Sequence, residues 1–104
     1  MLYLKIKNAS DEDIVKYLYS YAVFNNIGKY LPKNLEESMI FFKIAADLGH
    51  VDAMWFYASL FEEKEIPNNY EEEDKYFQMA IEKGSVNALI VYASYLSKRE
   101  SIED

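Results

Sequence analysis

Apolar residues in this chain fall in helical-spaced runs, broken by short polar stretches that contain Pro, Gly or Asn. The runs recur. Leu31-Pro-Lys-Asn-Leu-Glu-Glu-Ser-Met-Ile-Phe-Phe-Lys-Ile-Ala-Ala-Asp-Leu-Gly-His-Val-Asp-Ala returns 35 residues later as Ile66-Pro-Asn-Asn-Tyr-Glu-Glu-Glu-Asp-Lys-Tyr-Phe-Gln-Met-Ala-Ile-Glu-Lys-Gly-Ser-Val-Asn-Ala. The same shift continues without a gap and pairs Tyr57-Ala58-Ser59 with Tyr92-Ala93-Ser94. Tyr21-Ala22 precedes Tyr57-Ala58 by 36, the extra residue falling in the loop around Asn26-Ile-Gly-Lys-Tyr30. Repeats of such a period stack into solenoids, because one helical hairpin cannot bury its apolar face alone.

The pattern predicts about five helices. Ser10-Asp-Glu-Asp sets a hydroxyl three residues before an acid, a capping-box-like start for a first helix over about Asp11 to Asn25. Asn34-Leu-Glu-Glu and Asn69-Tyr-Glu-Glu start the second and fourth in the same way. Gly49 and Gly84 end those helices, at positions where the chain leaves through positive φ. The following helices, from about Asp52 to Glu62 and from about Val86 to Lys98, are expected to fold back on their predecessors as antiparallel hairpins. Pro32 and Pro67 shape the incoming loops. Ala22, Ala58 and Ala93 in one helix type, with Ala45 and Ala80 in the other, are expected to let helices approach closely. A Leu-sized side chain at 58 or 93 would then cost roughly 1–3 kcal/mol.

Small-x-x-aromatic-aromatic-x-x-Ala-x-x-x-Gly in the second helix of each hairpin, together with the Tyr-Ala and Pro-x-Asn landmarks, resembles the Sel1-like repeat family, a relative of the tetratricopeptide repeat. On that resemblance the chain is one domain, 1–104, with a first repeat over about 14–50, a second over 51–85 and a partial third over 86–104. The chain departs from the family in having Tyr21-Ala22, Tyr57-Ala58 and Tyr92-Ala93 where a Leu-Gly step is usual. Its second loop, Glu62-Glu-Lys-Glu-Ile, lacks glycine, and Ser38 and Glu73 stand where alanine is usual. The resemblance implies an all-α superhelix, a solenoid of antiparallel hairpins, used as an adaptor in protein complexes, including some in quality control and signalling. Some bacterial members were proposed to act on β-lactams, but those are disulfide-rich.

Composition narrows the chemistry. Half the 104 residues are hydrophobic and ten Tyr and six Phe are present, enough for a modest core of aromatic helix interfaces. A net charge of -7 would repel a phosphate backbone, so nucleic acid is not an expected partner. With no cysteine there is neither a disulfide nor a thiolate metal site. No apolar run approaches a membrane span, and Met1-Leu-Tyr-Leu-Lys-Ile-Lys is too short for a signal-peptide core, so a cytoplasmic protein is expected. His50 is the single histidine, and one histidine lacks the convergent groups of a hydrolytic or metal site. The acidic runs Asp11–Asp13 and Glu71–Asp74 lack calcium-loop spacing and sit at helix starts, and the three isolated glycines make no phosphate loop. No catalytic, metal or cofactor residue is expected, and hydrolysis is a remote alternative.

Function is therefore expected at positions that framework packing leaves free. If Tyr57, Ala58 and Phe61 face the core, Trp55, Ser59 and Glu62 form a neighbouring stripe; its counterparts are Tyr19, Val23 and Asn26, then Ile90, Ser94 and Ser97. Lys16, Asp52 and Asn87 extend it. The candidate partner-binding residues are Tyr19, Asp52, Trp55, Ser59, Asn87, Ile90 and Ser94. Trp55 leads them as a hot-spot type, although an aromatic at helical spacing is more often core. The last helix, with Val86, Ala88 to Ala93, Tyr95 and Leu96, is apolar almost all round where a terminal cap is polar outside. The expected function is a non-catalytic protein–protein interaction module that binds a protein or peptide. The alternative is a self-associating structural unit, a homo-oligomer through Val86 to Leu96, or part of a longer scaffold.

Overall fold

The computed structural model describes residues 10–63 and 70–103, and over these residues the chain is all-α. Its five helices are α1 (Asp11–Ile27), α2 (Leu35–Asp47), α3 (Val51–Glu63), α4 (Tyr70–Glu82) and α5 (Val86–Glu103). They pack as neighbouring pairs within two compact units that meet in sequence between His50 and Val51.

The first unit is a hairpin of α1 and α2. Ser10, extended at φ −71° and ψ 163°, caps α1: its Oγ accepts from the Asp13 amide at 3.2 Å and donates to Asp13 Oδ2 at 3.0 Å. Asp11, Glu12 and Asp13 place negative charge on the positive end of the helix dipole. The helix runs two residues beyond its expected end at Asn25, because Asn25 serves as an internal clamp. Buried, it donates from Nδ2 to the Tyr21 carbonyl at 3.0 Å and accepts the Asn34 amide on its backbone oxygen at 2.9 Å. Gly28, at φ 70°, ends α1 instead, its amide donating to the Phe24 carbonyl at 2.8 Å. Asn34 caps α2 by accepting the Glu37 amide on Oδ1 at 3.0 Å. Ala22, Phe42, Ala45 and Ala46 form the core of this hairpin, with Tyr21 edge-on to Phe41 and Tyr19 edge-on to Phe42. The contacts run in opposite directions along the two helices, Asn25 with Asn34 and Tyr19 with Phe42, so the pair is antiparallel.

Both second-type helices end in one motif. The His50 amide donates to the Ala45 carbonyl at 3.0 Å and the Gly49 amide to Ala46 at 2.9 Å; the Ser85 amide donates to Ala80 at 3.1 Å and the Gly84 amide to Ile81 at 2.9 Å. With φ at 101° and 88°, Gly49 and Gly84 are the left-handed residues this closure requires.

In the second unit α4 packs against both α3 and α5, and α3 also touches α5. Ala53, Met54, Tyr57, Ala58, Leu60, Phe61, Tyr76, Phe77, Ala80 and Ala88 are buried. Phe77 stacks on Tyr92 and meets Tyr95 edge-on, while the start of α4, at Tyr70, Glu73 and Asp74, meets Arg99 near the far end of α5; this pair is antiparallel too. The Arg99 contacts lie beyond the expected end of the last helix at about Lys98, and α5 continues to Glu103. The expected Asn69 cap and Pro67 lie outside the described residues.

One framework expectation is corrected. Ala58 is buried, but Ala93, its counterpart, is exposed: α5 turns Ala88, Tyr92, Tyr95 and Arg99 toward α4, and no described helix lies over its opposite side.

Candidate interaction surfaces

Among the described residues, α5 carries a long row of exposed apolar side chains. Val86, Leu89, Ile90, Ala93 and Leu96 recur at three- and four-residue steps along one side of this helix, and all are exposed. Leu89 is 54% exposed and Leu96 37%, whereas the residues 35 positions earlier, Met54 and Phe61, are 2% and 5% exposed. Ile90 reaches 62% and Val86 66%. The same register thus builds core on α3 and surface on α5.

The seven candidate residues divide between several environments. Asn87, Ile90 and Ser94 are exposed on α5, with Asn87 and Ser94 beside the apolar row. Asp52 is exposed at the start of α3, where its Oδ1 accepts the Trp55 indole Nε1–H at 3.1 Å. Trp55 is half-buried and stacked on Phe56 at 4.2 Å, so both its ring face and its donor have partners within α3. Ser59 is buried and donates its hydroxyl to the Trp55 carbonyl at 2.8 Å, serving the turn of its own helix rather than the surface. Tyr19 is half-buried in the first unit, stacked on His50 at 4.1 Å and edge-on to Phe42 at 5.8 Å. Asp52, Trp55 and Ser59 therefore form one local network, and Asn87, Ile90 and Ser94 a separate exposed set.

Leu89 and Leu96 were legible only as part of a generally apolar helix, because periodicity alone does not tell a buried row from an open one. A second apolar row, Ile40 and Ile44 on α2 with Leu48 just past its end, is exposed, and its counterparts on the second unit are Lys75, Met79 and Lys83. Comparing the two units at the 35-residue shift would have singled it out. Leu48 also borders an open groove of ≈680 Å³ in the first unit, with Ile14, Val15 and His50 on its walls and Asp11, Glu12 and Lys16 at its edge.

The second unit also buries charge. Glu73 is only 2% exposed, with Arg99 Nη2 at 3.1 Å from its Oε2; Arg99 Nη1 lies 2.9 Å from Asp74 Oδ1 and its guanidinium covers the Tyr70 ring at 3.8 Å. Burial, with the hydrogen bond and negative charge of neighbouring Glu62, raises the Glu73 carboxyl to about 7 against the pull of Arg99. These groups tie α3, α4 and α5 together. Among the described residues no group of His, Asp and Glu is placed to hold a metal ion, and no described helix is long and apolar enough to cross a membrane. Comparison with family models, with curated proteins and with solved structures gave no match.

Proposed function

We propose that this chain is a non-catalytic protein-interaction module of the Sel1-like repeat kind, whose helical hairpins present ordered side chains to a protein partner. The observation that carries this reading is the open apolar row on α5: five residues in one register, exposed in a chain of net charge -7. A continuous apolar surface at that density costs solubility unless a partner uses it. The framework behind it is preordered by the Gly84–Ser85 closure of α4 and by the Arg99 anchor, so a partner meets side chains already held in place.

The test is capture with the immobilised chain, followed by purification of the captured protein and reconstitution of the pair. Ile90→Glu should abolish the reconstituted binding while circular dichroism keeps the wild-type helix content. Trp55→Ala, whose ring has partners inside α3, should weaken it less. Failure to reconstitute any pair that distinguishes wild type from Ile90→Glu would overturn the reading. Light scattering of the purified chain separates it from self-association.

A further inference from the structure

Two buried carboxyl oxygens of the second unit have no donor among the described residues: Glu62 Oε1, in the last turn of α3, and Glu73 Oε1, in the first turn of α4. A buried acceptor left without a donor is costly, and two ionised ones side by side are costlier still. Glu62 and Glu73 are hydrogen-bonded to each other. An ionised carboxylate only accepts, so that bond exists only with a proton between the two groups. Glu73, at 2% exposure the more deeply buried of the two, holds the proton, and the half-buried Glu62 accepts it.

The surroundings of that proton are one-sided. From α5, Arg99 sets Nη2 at 3.1 Å from Glu73 Oε2 and Nη1 at 2.9 Å from Asp74 Oδ1, and its guanidinium covers Tyr70 at 3.8 Å. Tyr92 of α5 also bonds Asp74. From α3 the group that faces Glu73 is Glu62, which no ion pair joins to a cation among the described residues. Loss of the proton therefore acts in opposite senses on the two sides of α4: the new charge attracts Arg99 and repels Glu62. Glu62 sits in a terminal turn, the part of a helix that opens most easily, while Arg99 is held by Glu73, Asp74 and Tyr70 together.

We propose that Glu62 and Glu73 form a proton-dependent latch: with the proton between them they hold the last turn of α3 on the start of α4, and without it that turn lets go while α5 stays in place. Burial, together with Glu62, raises the Glu73 carboxyl to about 7, which puts the change near neutral pH. The folded chain favours the protonated form, so the latch is closed below that value and opens as the pH rises through it. The first unit is built without one. Ser38, 35 residues before Glu73, carries its own donor and reaches the Ala22 carbonyl at 2.8 Å, which makes the α1–α2 hairpin an internal reference.

Nuclear magnetic resonance of the full, isotope-labelled chain tests the latch under conditions where circular dichroism shows it folded. Between about pH 6 and about pH 8, the amide and Cα shifts of Phe61, Glu62 and Glu63 should move toward unfolded values, with the same midpoint as the Glu73 carboxyl carbon. Those of Tyr95 to Arg99 on α5 and of Ser38 to Ala45 on α2 should stay helical. Glu62→Gln supplies an amide donor that needs no titrating proton, so it should keep the last turn of α3 helical at both pH values; Glu73→Gln should do the same from the other side. Either variant suffices if the other fails to fold. A Glu73 carboxyl that titrates in wild type while the last turn of α3 stays helical would overturn the latch. So would a transition that persists in Glu62→Gln, or one in which the Arg99 turn of α5 loosens together with α3.

Discussion

Arg99 and Glu73 form an ion pair, Nη2 to Oε2 at 3.1 Å, at the position where the first unit places Ser38. The two side chains solve the same packing problem in different ways: Ser38 reaches a backbone carbonyl, while Glu73 brings a carboxyl into the interior that needs Arg99 and a proton. Because the Glu73 carboxyl rises from an ordinary 4.5 to about 7 on folding, the folded chain holds this proton more tightly than the unfolded chain. Its contribution to stability is fully present below about 4.5 and is lost as the pH rises through 7. At about 1.4 kcal/mol for each unit of displacement, the difference across that window is on the order of 3–4 kcal/mol. Urea unfolding followed by circular dichroism should show greater stability at mildly acidic than at mildly alkaline pH, and Glu73→Gln should flatten the difference. A wild-type midpoint that rises with pH over this window would refute the assignment.

The Ser38 side of the comparison is testable by itself. Its hydroxyl is fully buried and bonded to Ala22, so Ser38→Ala removes the donor without adding bulk, and the Ala22 carbonyl keeps its place in the α1 helix. The loss should be about 1 kcal/mol, the ordinary net worth of one buried hydrogen bond, read as a lower urea midpoint with unchanged slope. A change of slope would instead mean that α1 and α2 no longer unfold together.

What could be read from the sequence and what could not divide along the range of the interactions. The Ser10 and Asn34 caps and the Gly49 and Gly84 exits depend on residues within one helical turn, and each is where the residue order placed it. The Asn25 clamp shifted the end of α1 because an Asn that usually punctuates a chain here bonds inward to Tyr21. Glu73 looked like one more acid at a helix start, and only the fold brings Arg99 to it. Ala58 and Ala93 share the local sequence Tyr-Ala-Ser, so nothing within their own helices could distinguish the buried one from the exposed one. For the candidate surface the same limit applies: Ile90 stood out by register, but the open row from Val86 to Leu96 is a property of what lies beside α5.

The three positive-φ glycines should differ in their tolerance of a methyl group. A Cβ at Gly49 or Gly84 meets nothing within 4 Å, so alanine there bears only the cost of left-handed backbone, roughly 1–2 kcal/mol. At Gly28 the added Cβ would stand 3.1 Å from Lys33 Cβ and 3.3 Å from the Lys33 amide nitrogen, forcing the loop between α1 and α2 to shift. Thermal melts should therefore rank Gly28→Ala as the most destabilised of the three single variants, with Gly49→Ala and Gly84→Ala close together. Equal melting of all three would mean that the loop yields to the methyl without resistance.

Leucine at positions 58 and 93 separates a closed helix crossing from an open one. Ala58 has no exposure, and the extra carbons of Ala58→Leu must displace packed neighbours in the second unit, at about 1–3 kcal/mol. Ala93 lies on the exposed side of α5, so Ala93→Leu adds its side chain to solvent, and intrinsic helix preference hardly separates the two residues. Its effect on the isolated chain should stay within about 0.5 kcal/mol. Paired urea titrations decide the matter, because the two substitutions are chemically identical and sit in the same local sequence. A loss at 93 as large as that at 58 would require something packed over Ala93 in the isolated chain, which contradicts the exposed face. A loss at 58 alone locates the difference in the helix that covers one alanine and is missing from the other.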